Sequence, residues 1–454
     1  MDVNKTTNLT GGVVWKQLLK FFLPIAAGTC IQQLYNAVDG LVVGRFVGTI
    51  ALAAVGGSAA NIINVLIGFF VALTTGASVV IAQIYGAGRT EDVQKASGNA
   101  LAVCTVMGIC LSVFGITLSP GMLTLLKTPE NTIADSVTYL RIYFAGVPFV
   151  LILNMESNML RAVGDSYHPF LYMVISCAAN IVLDFAFVLI FGLGVAGVAI
   201  ATVAAQIINM LLLTVRLLKP ELEYRLSLKN FKLNGSYLSN MTKIGIPAGL
   251  QASMYSVSNM IIQVAVNTLG TVVVASWAMT SKTDGIFWGV SNAMGAAITT
   301  FIGQNIGARK FDRVRECVKQ GMIISMILSV VLSAAIMLLA RPLLGILTED
   351  TDVIETTFKL MTYFVPYYFT WTVIEVLSAV LRGSGDAVKP VIITGLGICL
   401  FRVVWIFTVF RAYPTILSLS LVYVSSWVIT GTALLIYFFK GSWRKLAGDA
   451  IRQQ

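Results

Sequence analysis

Hydrophobic residues fall into long runs that alternate with short polar segments along almost the whole chain. Most runs contain about 18–25 residues, the length of α-helix that crosses a hydrocarbon core of about 30 Å. The pattern therefore predicts an all-α polytopic membrane protein with twelve transmembrane helices. The runs lie at about 15–39, 50–80, 96–118, 134–156, 170–191, 195–217, 240–265, 272–303, 319–340, 356–379, 391–410 and 416–439.

The composition agrees with a membrane environment, since 57% of the residues are hydrophobic and only 11% are charged. An ordinary soluble domain has roughly 25% charged residues. The net charge of +10 could indicate nucleic-acid binding, but most of the 31 Lys and Arg residues lie in connections on one side of the predicted helices. Such an asymmetry marks the cytoplasmic side. We therefore expect a multi-pass plasma-membrane protein with both termini in the cytoplasm and no nucleic-acid partner.

A short motif occurs twice in the chain. Leu160–Asp165, with the sequence LRAVGD, is followed by Pro169, and Leu381–Asp386, with the sequence LRGSGD, is followed by Pro390. The copies are about 221 residues apart, and four matches in one order at nearly one offset indicate a duplicated half-chain. The other three matches pair Pro24 with Pro247, Gly48-Thr49 with Gly270-Thr271, and Gln83 and Gly86-Ala87 with Gln304 and Gly307-Ala308.

The duplication predicts the architecture. Six helices per half is an even number, so both halves begin and end on the same side of the membrane. Parallel halves of a transporter are related by a pseudo-twofold axis along the membrane normal, with the pathway between them. The predicted organisation is a first six-helix lobe at 1–218, a cytoplasmic linker at 219–243 and a second six-helix lobe at 244–454.

Several kinds of chemistry lack their characteristic residues. The six cysteines show no Cys-x-x-Cys spacing, so neither a metal site nor a disulfide framework is expected. His168 is the single histidine, and the phosphate-binding pattern GxxxxGK(S/T) is absent. We therefore expect no enzyme activity, no cofactor and no ATP-driven transport.

Ionisable side chains at membrane depth are costly, and by default they mark function. Asp39 lies in the outer half of the first predicted helix, one turn after Asn36, and Asp184 lies in the outer half of the fifth, one turn after Asn180. Two neighbouring carboxylates in a low dielectric cannot both be ionised cheaply, so this pair is expected to hold a proton or a cation. The alternative is that Asp39 lies at the interface and Asp184 makes a packing hydrogen bond.

The second half repeats the scaffold without this carboxylate pair. The positions that correspond to Asp39 and Asp184 fall near Ile261 and on Trp405. A cation site is therefore expected in the first lobe only.

The second lobe has its own polar and aromatic residues. Arg402 is near the middle of the eleventh helix and needs a partner, and a structural ion pair with Asp284 or Glu375 is the favoured interpretation. Aromatic faces attract flat cationic ligands, although most aromatics in membrane helices lie in interfacial belts or pack against neighbours. The candidates for a substrate cavity are Tyr255, Trp277, Lys282, Asp284, Tyr367, Trp371, Glu375 and Arg402.

The first helix contains a candidate hinge. Pro24 has no backbone N–H and leaves a carbonyl one turn earlier without its helical partner, so the stretch from Pro24 to Gly28 can bend. The alternative is that Pro24 only shapes the end of a rigid helix.

These residues together resemble the multidrug and toxic compound extrusion (MATE) family. The resemblance extends over nearly the whole chain. It rests on the helix with Asn36 and Asp39, the two Leu-Arg-x-x-Gly-Asp loops, Gln304–Ala308, Asn180 to Asp184 followed by Gly194–Thr202, and the triplet Lys282-Thr283-Asp284.

The resemblance implies two six-helix lobes, a central cavity, and export driven by the inward flow of Na⁺ or H⁺. It also implies a first-lobe cation site formed by Asp39, Asn180, Asp184 and Thr202, with Tyr139 close to it. Some members carry a Glu in helix 7 and an Asp in helix 10 as a second-lobe Na⁺ site. The corresponding residues here are Tyr255 and Trp371, which favours coupling through the first lobe. The alternative is that Glu375, one turn from Trp371, partly substitutes for the missing second-lobe ligand.

The resulting hypothesis is a monomeric antiporter, coupled to H⁺ or Na⁺, that exports organic, cationic amphipathic compounds by alternating access. The alternative is a flippase for lipid-linked sugars, in which Lys282 and Arg402 would meet a pyrophosphate group.

Overall fold

The structure, a computed structural model, describes residues 7–440, apart from the side chains of Asn36, Ala37, Leu228 and Leu347. The described residues contain α-helices with short π- and 3₁₀-helical segments, and no strand. The first-half helices are α1 (Val14–Val42), α2 (Thr49–Ala54), α3 (Ala60–Gly86), α4 (Thr90–Leu125), α5 (Glu130–Ala162), α6 (Tyr167–Phe185) and α7 (Gly194–Leu217). The second-half helices are α8 (Gly235–Asn267), α9 (Thr271–Thr283), α10 (Gly285–Gly307), α11 (Phe311–Leu347), α12 (Thr351–Phe364), α13 (Tyr368–Gly383), α14 (Val388–Thr394), α15 (Phe401–Trp405) and α16 (Ile416–Lys440).

Short irregular segments join some of these helices end to end. The π-helical segment Val55–Ala59 joins α2 to α3, and the 3₁₀ turn Val365–Tyr367 joins α12 to α13. Each hydrophobic run of the sequence thus coincides with one long helical stretch, and the prediction of an all-α polytopic membrane protein is confirmed. Within residues 7–440, ten helical stretches are long and apolar enough to cross a membrane by length and composition alone. The remaining two of the twelve stretches that match the hydrophobic runs are α1 and α8.

The chain divides into two compact units. Among the described residues, the first comprises Thr7 and Asn8 together with Leu23–Gly249, and the second comprises Leu9–Phe22 together with residues 250–440. The segment between α7 and α8 belongs to the first unit, where Asn99 of α4 donates hydrogen bonds to the carbonyls of Lys232 (3.1 Å) and Asn234 (3.3 Å). That segment is therefore held against α4.

The duplicated motif forms the same turn in each unit. The Asp165 N–H donates to the Leu160 carbonyl (2.8 Å) and the Gly164 N–H to the Arg161 carbonyl (2.9 Å). This pair of bonds is the Schellman motif, which requires a left-handed residue just after the helix, and Gly164 has φ +92°. The second copy has the same two bonds, from Asp386 to Leu381 and from Gly385 to Arg382, with φ +92° at Gly385.

We expect Gly164→Ala to destabilise the protein more than Gly88→Ala does. Both glycines have positive φ, which costs an alanine about 1–2 kcal/mol. A Cβ at Gly164 would also lie 2.5 Å from the Thr7 carbonyl oxygen, whereas a Cβ at Gly88 meets nothing within 4 Å. Thermal denaturation of the purified variants in detergent checks this difference, and equal midpoints would contradict the close packing of Thr7 on Gly164.

Gly88 is a suitable control because the second half tolerates a side chain at the corresponding turn. Arg309 occupies that position with φ +58°. The strain of a left-handed residue is thus acceptable there.

Candidate functional site

A cluster of buried polar side chains lies inside the first unit. Asn180 and Asp184 are completely buried, one turn apart on α6, while Val182 on the other side of that helix is 68% exposed. Thr202 of α7 is also buried, and Asp39 of α1 is partly buried. Three helices of one unit therefore bring four of the predicted cation-site residues together.

The two carboxylates of the cluster are direct neighbours. The Asp39 and Asp184 side chains lie within reach of a shared proton. Within residues 7–440, neither pairs with a basic side chain, and neither Asp184 carboxylate oxygen accepts a hydrogen bond. Unpaired carboxylates in a low dielectric are strongly destabilising unless a proton or a cation neutralises them.

The neutral members of the cluster offer further oxygen ligands. Both polar side-chain atoms of Asn180 and the Thr202 hydroxyl lack a hydrogen-bond partner among the described residues. The Tyr35 hydroxyl points toward Thr202 but lies outside ordinary hydrogen-bond geometry. Carboxylate, amide and hydroxyl oxygens are the ligands that hard cations prefer. The residues thus fit a Na⁺ ion as well as a proton.

Tyrosines border the carboxylates. Tyr139 of α5 is buried, stacks on Tyr143 at 6.2 Å between ring centroids, and interacts with both Asp39 and Asp184. Tyr35 lies one turn before Asp39 on α1 and also faces the pair. The side chain of Asn36, which was predicted to join this site, lies outside the described side chains.

Two residues near this cluster were missed by the sequence analysis, Tyr35 and Gln206. Each lies four residues from a predicted site residue, Tyr35 before Asp39 and Gln206 after Thr202. Gln206 lies close to Tyr143. Helical i, i+4 spacing could have identified both residues, because it places them on the same helix face.

In the second unit, the predicted ion pair of Arg402 with Asp284 or Glu375 is wrong. Arg402 donates from Nε to Ser426 Oγ (3.2 Å) and from Nη1 to Asn259 Oδ1 (3.4 Å). Its guanidinium lies 4.0 Å from the centre of the Tyr423 ring, a cation–π contact. Arg402 is therefore stabilised by polar and aromatic neighbours.

The two candidate carboxylates have other partners. Asp284 accepts a hydrogen bond from the Tyr368 hydroxyl at 2.9 Å. Glu375 Oε1 lies 3.1 Å from Arg382 Nη2, seven residues later on the same face of α13. Glu375 therefore pairs with Arg382 on its own helix instead of with Arg402. The sequence analysis did not consider this partner.

Aromatic residues of the second unit form one packed group. Tyr255 and Trp371 lie 6.1 Å apart, and Trp371 packs at 5.0 Å on Trp288. Trp277 packs on Tyr423 at 5.7 Å. Two candidates are not part of this group, since Tyr367 is 44% exposed and Lys282 is exposed. The group also includes Tyr423 and Trp427 of α16, which the sequence analysis missed.

The family model MatE matches the chain twice, at residues 24–186 and 247–408. The chain is similar to the probable multidrug resistance protein YpnP of Bacillus subtilis, with 28% identity over 97% of this chain and 98% of that protein. It is also similar to the probable multidrug resistance protein YoeA of Bacillus subtilis, with 28% identity over 84% of each chain.

A solved structure supports the fold. It is described as the outward-facing conformation of a multidrug resistance MATE family transporter of the MOP superfamily. The TM-score is 0.89 at 21% identity, with 100% of each chain covered. The double match of the family model and this agreement along the whole chain both support the duplicated architecture.

Proposed function

This chain belongs to the MatE family, and from that premise we propose that it is a multidrug efflux transporter, a cation-coupled antiporter that exports organic compounds by alternating access. The chain is a multi-pass membrane transporter and not an enzyme. The observation that carries the coupling proposal is the Asp39–Asp184 pair, two neighbouring carboxylates without a basic partner in the described chain.

The pair supplies a reason for coupling. A proton or Na⁺ between Asp39 and Asp184 removes a buried negative charge and allows α1 and α6 to approach. Without the cation, the like charges favour a conformation in which the carboxylates separate or meet water. A ligand shifts a conformational equilibrium only by its differential affinity for the two states, and charge neutralisation provides that difference here.

The proposed substrates are organic, cationic amphipathic compounds. The packed aromatic group of the second unit supports this class, because faces of Tyr255, Trp288 and Trp371 attract flat cations. The names of YpnP and YoeA, both probable multidrug resistance proteins, support export of drugs in general.

A flippase for lipid-linked sugars is not favoured. Such a protein would need cationic side chains that are available to a pyrophosphate. Arg402 is already engaged by Ser426, Asn259 and the Tyr423 ring, and Lys282 lies outside the aromatic group.

We place the protein in the plasma membrane with both termini in the cytoplasm, as the distribution of Lys and Arg indicates. The protein acts as a monomer, without a cofactor other than its coupling ion and without a nucleic-acid partner.

Transport by the purified protein in proteoliposomes tests the proposal. The probe is ethidium, a flat organic cation, and the Na⁺ and pH gradients are varied independently of each other. We expect ethidium movement against an imposed gradient of one ion and no dependence on ATP. Ethidium movement that ignores both gradients would contradict cation coupling.

A further inference from the structure

The segment between α7 and α8 carries exposed apolar and basic side chains together. Phe231 is 46% exposed and Leu233 is 64% exposed, and the neighbouring Lys229 and Lys232 are exposed as well. Residues 226–234, which we term the basic segment, contain no acidic residue. Exposed apolar side chains with charged neighbours are typical of an interaction surface.

The backbone of the basic segment is fixed against the start of α4. The completely buried side chain of Asn99 donates hydrogen bonds to the carbonyls of Lys232 (3.1 Å) and Asn234 (3.3 Å). The Asn230 carbonyl oxygen lies so close to Gly98 that a Cβ at this glycine would overlap it. The exposed side chains of the segment therefore have a defined place in the first unit.

This contact with α4 sets the depth of the basic segment in the membrane. The hydrophobic run at 96–118 is the part of α4 that crosses the hydrocarbon core, and at 1.5 Å per residue it is about 34 Å long. Gly98 and Asn99 lie in the first turn of that run, at the end predicted to be cytoplasmic. The basic segment thus lies at the boundary between the lipid headgroups and the hydrocarbon core.

The side chains of the basic segment suit that boundary. Phe and Leu of interfacial segments place their apolar parts below the headgroups, and Lys places its charged end among the phosphates. Neither Lys229 nor Lys232 forms a salt bridge within residues 7–440. Both charges are therefore available to an anionic partner.

The preceding part of the connection is less favourable to an anion. It contains the exposed basic residues Lys219 and Arg225, but also the exposed acidic residues Glu221 and Glu223. These charges balance each other. The excess of positive charge is therefore concentrated in residues 226–234, beside the exposed apolar side chains.

We propose that the basic segment docks on anionic phospholipid headgroups of the cytoplasmic leaflet. Phe231 and Leu233 enter the boundary region, and Lys229 and Lys232 contact the phosphates. Anionic leaflets attract basic segments next to transmembrane helices in this way. A soluble acidic protein fits this surface less well, because the apolar side chains lie level with the start of the α4 hydrophobic run.

This surface goes beyond the proposed function. It shares no residue with the Asp39–Asp184 pair or with the aromatic group of the second unit. The basic segment leads directly into α8, which begins at Gly235. Docking on lipid would therefore fix the point at which the chain enters α8.

Hydrogen–deuterium exchange of the purified full-length protein in nanodiscs tests the proposal. One preparation contains phosphatidylcholine alone, and the other contains equal parts of phosphatidylcholine and phosphatidylglycerol. We expect the backbone amides of residues 226–234 to exchange about tenfold more slowly in the anionic nanodiscs, because lysines near an anionic surface stabilise the docked state against local opening. High salt should remove the difference, since it screens exposed charges.

Two charge variants separate local docking from a general effect of surface charge. Lys229→Gln/Lys232→Gln should exchange at the same rate in both kinds of nanodisc. The matched control, Arg315→Gln/Lys319→Gln, removes two exposed basic side chains of α11 on the same predicted side of the membrane. The control should keep the slower exchange of residues 226–234 in the anionic nanodiscs.

A third variant tests the apolar part of the surface. Phe231→Ser/Leu233→Ser retains both lysines and should show a smaller difference between the two lipids than the wild type does. Equal exchange of the wild type in both nanodiscs would overturn the proposal and would leave the surface to a soluble partner. Equal loss of the difference in the two charge variants would also overturn it. The measurement uses no ion gradient and no substrate, so its outcome is independent of cation coupling.

Discussion

Asp39→Asn and Asp184→Asn should each reduce gradient-driven efflux to the level of protein-free vesicles. An amide has nearly the size and shape of a carboxyl group, but it neither binds a proton in this pH range nor carries the charge that attracts Na⁺. Asn at either position therefore removes the exchange of a cation while it preserves packing around the completely buried Asp184. Efflux of ethidium from proteoliposomes under the driving gradient measures the effect.

The control for this prediction is Asp135→Asn. Asp135 is an exposed carboxylate on α5 of the same unit, so Asp135→Asn should leave efflux unchanged. Both site variants should be produced in wild-type amounts, because Asn can satisfy the neighbouring amide and hydroxyl groups. Efflux above about half of the wild-type rate in both variants would show that the pair does not couple transport. Such a loss of less than about twofold is far smaller than the tenfold loss of rate that a barrier increase of about 1.4 kcal/mol produces.

The hydrophobic pattern predicted the helices because lipid leaves the chain few alternatives. Backbone groups in the hydrocarbon core must be satisfied within a helix, so a run such as 96–118 has to lie inside a helix, which is α4. The pattern did not predict local departures such as the π-helical segment Val43–Val47. One extra residue in a turn changes the hydropathy profile very little, and the packing around it decides where it occurs.

Site residues could be predicted from the sequence where they lie on one helix, because the helical spacing determines which face each residue occupies. Asn180 and Asp184 share a face of α6 because they are four residues apart, and the structure places both inside the unit. The partner of Arg402 was not predictable, because it depends on which helices pack around it. Asn259 of α8 and Ser426 of α16 approach Arg402 only in the folded unit. A buried charge indicates that a partner is needed, but it does not identify the partner.

Helix α1 changes its association along its length, which makes Pro24 a candidate hinge. Residues up to Phe22 belong to the second compact unit, and residues from Leu23 onward belong to the first. Pro24 thus lies directly after the point at which the chain passes from one unit to the other. The repeat shows the same feature at α8, where Pro247 lies just before the change of unit after Gly249.

A hinge at this position would connect cation binding with conformational change. Asp39 lies on the same helix as Pro24, four turns further on. With such a hinge, neutralisation of Asp39 would change the packing of α1 against α6, and a bend at Pro24 would allow the rest of the helix to keep its contacts. Proline leaves one helical hydrogen bond unformed, so bending there requires no bond to be broken.

Pro24→Ala should therefore slow ethidium efflux by about tenfold. The alanine restores one backbone hydrogen bond, worth about 1 kcal/mol or slightly more, which bending must then break. Cation binding at Asp39 and Asp184 should persist, because Pro24 contributes no side-chain oxygen. Distances between spin labels on α1 and α6 should shift with pH or Na⁺ in the wild type, and they should stay fixed in Asp39→Asn. If α1 is rigid and Pro24 only shapes its end, Pro24→Ala will transport at the wild-type rate and the distances will not respond to either ion.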